Sequence, residues 1–211
     1  MHRSSHRAVV SLVTLPPPLL DVIAAETVRL SFIVRDATAS DVPALAHLHV
    51  QTYNETHAPE SMDGPTFETR EYQWRRAFHY RGKVWFRLLV DRGKPWFCLV
   101  IANQNGELVG FAKGQRYAHR DQPAFSGELN KIYLRRDHHR RGLGRRLLGH
   151  VARRFLSQDI SSMLLFGDAH NPSNRFYEAM GAEKLFAANG AFHGGYGWRD
   201  LHKLAAMCPT D

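Results

Sequence analysis

The chain has 211 residues, of which 44% are apolar and 11% aromatic, enough for one substantial core and little more. Charged residues make up 23%, and no run of eighteen apolar residues occurs, which argues against a disordered, collagen-like or membrane-spanning chain. The net charge of +8 is concentrated: between Lys113 and Arg154, twelve Lys or Arg stand against three acids, so one surface is suited to meet an anion, the phosphates of a cofactor or of a nucleic acid.

Residues 1–30 read as an N-terminal extension of unclear role: a basic start, a short apolar stretch, then Pro16-Pro17-Pro18, which breaks any helix. The extension loosely resembles a signal peptide, but the proline triplet and the lack of a small-x-small cleavage site argue against one. A single domain is expected over 31–206, with 207–211 a short tail. Residues 30–34 alternate as a strand, and Ser40-Asp41-Val42-Pro43 places a cap and an early proline ahead of a helix. A second helical region is expected over 68–89. Residues 97–102 and 108–117 are strand-like, and Asn105-Gly106 between them marks a hairpin. A strand over 128–134 then leads into an amphipathic helix over 144–157, with Leu147, Leu148, Val151 and Phe155 on one side and Arg145, Arg146, Arg153 and Arg154 on the other. A buried strand over 163–167, a helix over 173–180 stopped by Gly181, and closing strands over 184–187 and 198–204 complete the reading.

The segment His139-Arg140-Arg141-Gly142-Leu143-Gly144-Arg145 joins strand to amphipathic helix, which puts its N–H groups at a helix N-terminus, where unpaired donors and the helix dipole favour phosphate oxygens. Gly142 and Gly144 permit tight conformations and close approach, and the arginines add attraction at longer range. Taken alone, such a turn also fits a plain strand-to-helix connection with a solvated basic face. No Gly-Lys-Ser or Gly-Lys-Thr follows, and the third glycine of the dinucleotide fingerprint is missing. Downstream, Asn171-Pro172-Ser173-Asn174-Arg175-Phe176-Tyr177 opens a helix that ends at Gly181.

Together these two segments resemble the GNAT superfamily of acetyl-CoA-dependent N-acetyltransferases. Its cofactor loop runs Gln or Arg, two residues, Gly, one residue, then Gly or Ala. Here His139 stands in the first position. The resemblance covers residues 32–204 and is sharpest from 127 to 182. It implies an α/β (α+β) fold with a mixed, largely antiparallel central sheet of six to seven strands flanked by helices, in which a splayed parallel strand pair holds CoA. It also implies that His139, Arg140, Arg141, Gly142, Leu143, Gly144 and Arg145 bind the pyrophosphate, mainly through N–H groups. Ile132, Tyr133 and Leu134 would offer main-chain groups to the pantetheine, which would pair like an added strand. Asn171 and Ser173 would meet the pantetheine arm, and Tyr177 would protonate the departing thiolate, as a phenol neutral at pH 7 can. Glu128 matches a strand Glu that acts as general base in the histone-acetyltransferase branch. An amine of lysine-like pKa is almost wholly protonated at neutral pH, so a base is needed. The same Glu could instead pair with Lys131 or Arg135.

The resemblance places the amine pocket near residues 53–57 and 192–198, which hold a single acid, Glu55. The thirteen histidines give no metal signature, since His47 and His49 sit two apart on a predicted helix and His138 and His139 are adjacent in a loop. No metal is expected. Cys98 reads as a small buried hydrophobe rather than an acetyl carrier. Cys98 and Cys208 are too few for a disulfide framework and suit a reducing, cytoplasmic setting. Trp74, Tyr80, Trp85 and Trp96 read as core, with part of the cluster able to wall the acceptor cleft. Direct attack of an amine on acetyl-CoA in a ternary complex is the expected chemistry, with no membrane partner and a homodimer compatible. Two other classes stay open: a nucleic-acid or ribosome binder using the basic strip 135–154, and a CoA-binding regulator without catalysis.

Overall fold

A computed structural model describes residues 31–57, 64–82, 96–119 and 121–208. The expected extension over 1–30, Trp85, Phe86 and most of the tail lie outside them. Seven strands form one sheet: β1 (Phe32–Asp36), β2 (Trp96–Asn103), β3 (Leu108–Arg116), β4 (Gly127–Leu134), β5 (Met163–Phe166), β6 (Glu183–Phe186) and β7 (Phe192–Trp198). Their spatial order is β1-β2-β3-β4-β5-β7-β6, and every neighbouring pair is antiparallel except β4 with β5. The mixed, largely antiparallel sheet is thus as expected.

Helices α1 (Val42–His57) and α2 (Phe67–Gly82) cover one face of the sheet; α3 (Leu143–Leu156) and α5 (Leu201–Met207) cover the other, and the short α4 (Asn174–Ala179) follows β5. The apolar run in β2 explains how both faces are served. Phe97, Leu99 and Ile101 point into the α3 core, whereas Cys98 and Val100 point into the α1–α2 core, as the two-residue period of a strand requires. On α3, Leu143, Leu147, Leu148, Val151 and Phe155 are all essentially inaccessible, and each contributes about 1.5–3 kcal/mol by leaving water. The hairpin between β2 and β3 turns where expected, with Gly106 at φ 79° and the Asn103 carboxamide oxygen accepting from the N–H groups of Asn105 and Glu107.

The C-terminal end departs from expectation. Residues 198–204 do not form a closing strand: β7 ends at Trp198 and a helix follows. The Asp200 carboxylate accepts from the N–H groups of His202 (2.9 Å) and Lys203 (3.3 Å), which caps the helix, and Leu201 and Leu204 share the buried side that helical spacing gives them. The glycine-rich stretch 192–198 is therefore the last strand rather than a loop before it. Among the described residues, no helix is long and apolar enough to cross a membrane.

Candidate active site

Strands β4 and β5 pair at only two positions, Gly127 with Met163 and Glu128 with Leu164, and then part. The other edge of β4 stays in register with β3 as far as Leu134 opposite Gly110. Arg135 N–H bonds the Val109 carbonyl, which fixes the antiparallel alternation: Tyr133 spends its main-chain groups on β3, while those of Ile132 and Leu134 face the gap. Of the three main-chain positions expected to line this gap, Ile132 and Leu134 do so and Tyr133 does not. The side chain of Tyr133 instead packs on Phe111 and His49, with ring centroids 5.4 and 5.3 Å away.

The turn that follows β4 is a concave run of N–H groups. Arg140 takes φ 62° and Gly142 φ 78°, both left-handed, on either side of Arg141. A non-glycine residue held there, as Arg140 is, stores about 1–2 kcal/mol of strain. The first backbone rung of α3 runs from Arg146 N–H to the Gly142 carbonyl, so the N–H groups of Leu143, Gly144 and Arg145 precede the ladder and have no acceptor within the helix. The His139 ring ties the turn back to the strand end, with its Nε2 lying 2.8 Å from the Leu134 carbonyl oxygen. Nothing crowds a Cβ built on Gly142, so its requirement is conformational, whereas a Cβ on Gly144 would meet only the Phe176 ring at 3.6 Å.

The basic strip is mostly spent inside the molecule. Arg145 donates to the Met207 carbonyl, Arg146 to that of Phe32, Arg153 to those of Ala205 and Cys208, and Arg154 forks onto Asp36. Arg135 pairs with Glu107 and Asp137, and the Arg136 guanidinium donates to the Glu55 carbonyl. What Arg145 brings to the turn is therefore its main-chain N–H rather than a guanidinium. Arg140 and Arg141 are left exposed beside the turn.

Across the gap, the Asn171 carboxamide oxygen accepts from Ser173 N–H at 2.8 Å, and Asn174 donates to the carbonyls of Asp168 and Ala169, shaping the loop between β5 and α4. Asn174 was not singled out from the sequence, because an Asn inside a helix start gives no signal of its own. Tyr177 projects from α4 onto Tyr196 and Trp198 of β7 and is 7% exposed. Burial raises its phenol pKa well above the ordinary value, and the neighbouring hydroxyls of Tyr133 and Tyr196 add to that. Tyr177 is therefore neutral at any physiological pH.

Glu128 sits at the vertex where β4 and β5 separate. It pairs with neither Lys131 nor Arg135: its carboxylate accepts from Gln115 Nε2 at 2.7 Å and Asn130 Nδ2 at 3.2 Å. A bulge places Asn130 as an extra residue between the rungs Leu129–Gly114 and Lys131–Lys113, so that Glu128, Asn130 and Lys131 all turn toward α1 and α2. There Asn130 and Lys131 meet Lys113, His49 and Trp74 around a cavity of about 160 Å³. None of Lys113, Lys131, His49, Gln115 and Asn130 was identified as a site residue from the sequence. The signal available was lysines on two neighbouring strands, which is readable only once the register is known. Glu55, expected near the amine pocket, instead accepts from the Arg136 N–H and braces the turn after β4.

The family model described as the acetyltransferase (GNAT) family matches residues 45–182. An uncharacterized N-acetyltransferase of Bacillus subtilis (strain 168), YuaI, is 28% identical over 184 residues, 82% of this chain and 96% of its own. Among solved structures, the PaiA N-acetyltransferase of Thermoplasma acidophilum in complex with coenzyme A superposes with a TM-score of 0.57 at 17% identity, covering 79% of this chain and 98% of its own. A phosphinothricin acetyltransferase of the GNAT superfamily from Sinorhizobium meliloti, in complex with acetyl-CoA, gives 0.56 at 19%, covering 79% and 86%.

Proposed function

The chain belongs to the acetyltransferase (GNAT) family, and from that premise we propose that it transfers the acetyl group of acetyl-CoA to an amine by direct attack in a ternary complex, with the thioester seated where β4 and β5 part. The observation that carries this reading is the gap itself: two rungs at its vertex, then the free N–H and C=O edge of Ile132 and the N–H of Leu134, with the N–H-lined turn beyond its open end. A pantetheine chain has amides that pair with such an edge, and its diphosphate then reaches the start of α3.

In this arrangement Glu128 draws a proton from the incoming ammonium, directly or through a water, and Gln115 and Asn130 hold its carboxylate in place. The amine nitrogen attacks the thioester carbonyl, Tyr177 gives its proton to the sulfur as the carbon–sulfur bond breaks, and the proton that the acylated nitrogen then sheds returns to the Tyr177 phenolate, directly or through a water. That burial keeps Tyr177 protonated supports the assignment, because a donor must arrive loaded. Commitment of the basic strip to internal partners weighs against a nucleic-acid-binding role.

A thiol-release assay with acetyl-CoA and a panel of primary amines tests this. Saturable release with at least one amine is expected, together with a CoA-dependent rise in melting temperature. No release from any amine combined with no thermal shift would overturn it.

A further inference from the structure

We propose that the acceptor is an amine that also carries an anionic group, a carboxylate or phosphonate, and that Lys113 and Lys131 bind that group in the cavity between β3, β4 and the α1–α2 pair. The inference rests on the acetyl-transfer reading for the acceptor's amine, but its anion site follows from this chain alone.

Lys113 and Lys131 face each other as partners in the β3–β4 ladder. Like charges on one rung repel, and burial aggravates this by depressing the pKa of both ammonium groups. Arg70 adds its field to that of Lys131 and His49. Among the described residues no carboxylate lies within ion-pair distance of either ammonium. Among the described residues, Glu128 is the one carboxylate whose field both lysines feel, and its oxygens are held by Gln115 and Asn130. Among the described residues, one negative charge set against three positive ones leaves the cavity short of an anion.

The neutral groups around it point the same way. The Trp74 indole N–H is buried with no hydrogen-bond partner, and it can only donate. Both ring nitrogens of His49 are likewise unpartnered, in a side chain that is 1% exposed. Two ammonium groups and an indole N–H need acceptor atoms, and a neutral imidazole adds a further N–H. A carboxylate or phosphonate supplies those atoms together with the missing charge, at a size that about 160 Å³ accommodates. A purely cationic amine would add positive charge to three cations and leave the donors unmet. With its anion on the lysines, the acceptor can present its ammonium to Glu128, the neighbouring negative group.

The test uses amines in matched pairs: 3-aminopropanoate with propylamine, and aminomethylphosphonate with methylamine, extended over common amino acids and their decarboxylated forms. Binding to the CoA-loaded protein is read by calorimetry and transfer by thiol release. The anionic member is expected to bind and react about 100-fold better than its partner. Lys113→Met and Lys131→Met are each expected to remove most of that advantage through KM, to affect the neutral partner far less and to retain CoA affinity, which also reports that the variant is folded. Lys→Arg at either position keeps the charge and a large part of the preference. Equal binding of both pair members, absence of binding by every anionic amine, or equal loss for both members in the Met variants would overturn the proposal. Selective binding without thiol release would instead sink acetyl transfer and leave the anion site standing.

Discussion

The Glu128 carboxylate accepts a hydrogen bond from Gln115 at 2.7 Å across the β3–β4 ladder, and the same residue forms the last rung between β4 and β5. One side chain is thus fixed from the antiparallel side while its backbone marks where the parallel side opens. Its position is set by the sheet rather than by a loop, the kind of support a proton-transfer group needs.

Glu128→Gln keeps the shape and the contact with Gln115 but cannot take a proton. We expect kcat/KM for the amine to fall about 10²–10⁴-fold while the affinity for CoA stays within about twofold. The residual rate of the variant should climb with pH as the free amine becomes available unaided. Steady-state kinetics across pH with a fixed acceptor checks both statements.

Removing the Tyr177 hydroxyl leaves the ring packing on Tyr196 and Trp198 intact. Tyr177→Phe is expected to lower kcat by about 10²-fold, with little change in melting temperature. Because burial holds the phenol above its ordinary pKa, the wild-type rate should show no alkaline decline from this group up to about pH 10. Such a decline, absent in the Phe variant, would contradict the assignment.

At Gly142 the backbone is left-handed and a Cβ has room, so Gly142→Ala isolates conformational cost. The expected penalty is about 1–2 kcal/mol, felt chiefly as a roughly tenfold weaker grip on CoA as the turn relaxes. Gly144→Ala brings a methyl only to ordinary contact with Phe176 and should bind CoA far closer to wild type. Calorimetric titration of the two variants with CoA separates them.

Burial holds His49 neutral down to a pKa of about 3, against 6.5 for a free imidazole. In the window between these values the unfolded chain takes up a proton that the folded chain refuses. Stability is therefore complete above about 6.5 and is lost as pH falls through that window, by at most about 1.4 kcal/mol per pH unit from this group. Asp41, held near 2 by the Arg35 guanidinium, adds a further loss as pH drops below its unfolded value of 3.8. In His49→Leu the dependence of the urea midpoint on pH should flatten over the His49 window.

The parts of the molecule written locally were legible in the sequence. The apolar stripe of α3, the Asn-Gly hairpin and the glycine turn each declare themselves within about a dozen residues, because periodicity and left-handed backbone leave a direct mark on composition. The helix over 201–207 was missed because Asp200 as a cap and two leucines three apart make a short signal, easily read as the continuation of an aromatic strand. The cavity between Lys113, Lys131, His49 and Trp74 was not legible at all. Its residues come from four elements, and what brings the lysines face to face is a register with a bulge at Asn130, which no local pattern encodes.

Only two rungs stitch the halves of the sheet together, so the upper part of the seam is left without β4–β5 pairing. Four strands lie on one side of the seam and three on the other, and what would fasten the upper part of the seam is the pantetheine itself. Loading the donor and stiffening the molecule then become a single event. Amide exchange at Ile132 and Leu134 should slow on CoA binding, together with that of Phe166 on the opposite bank.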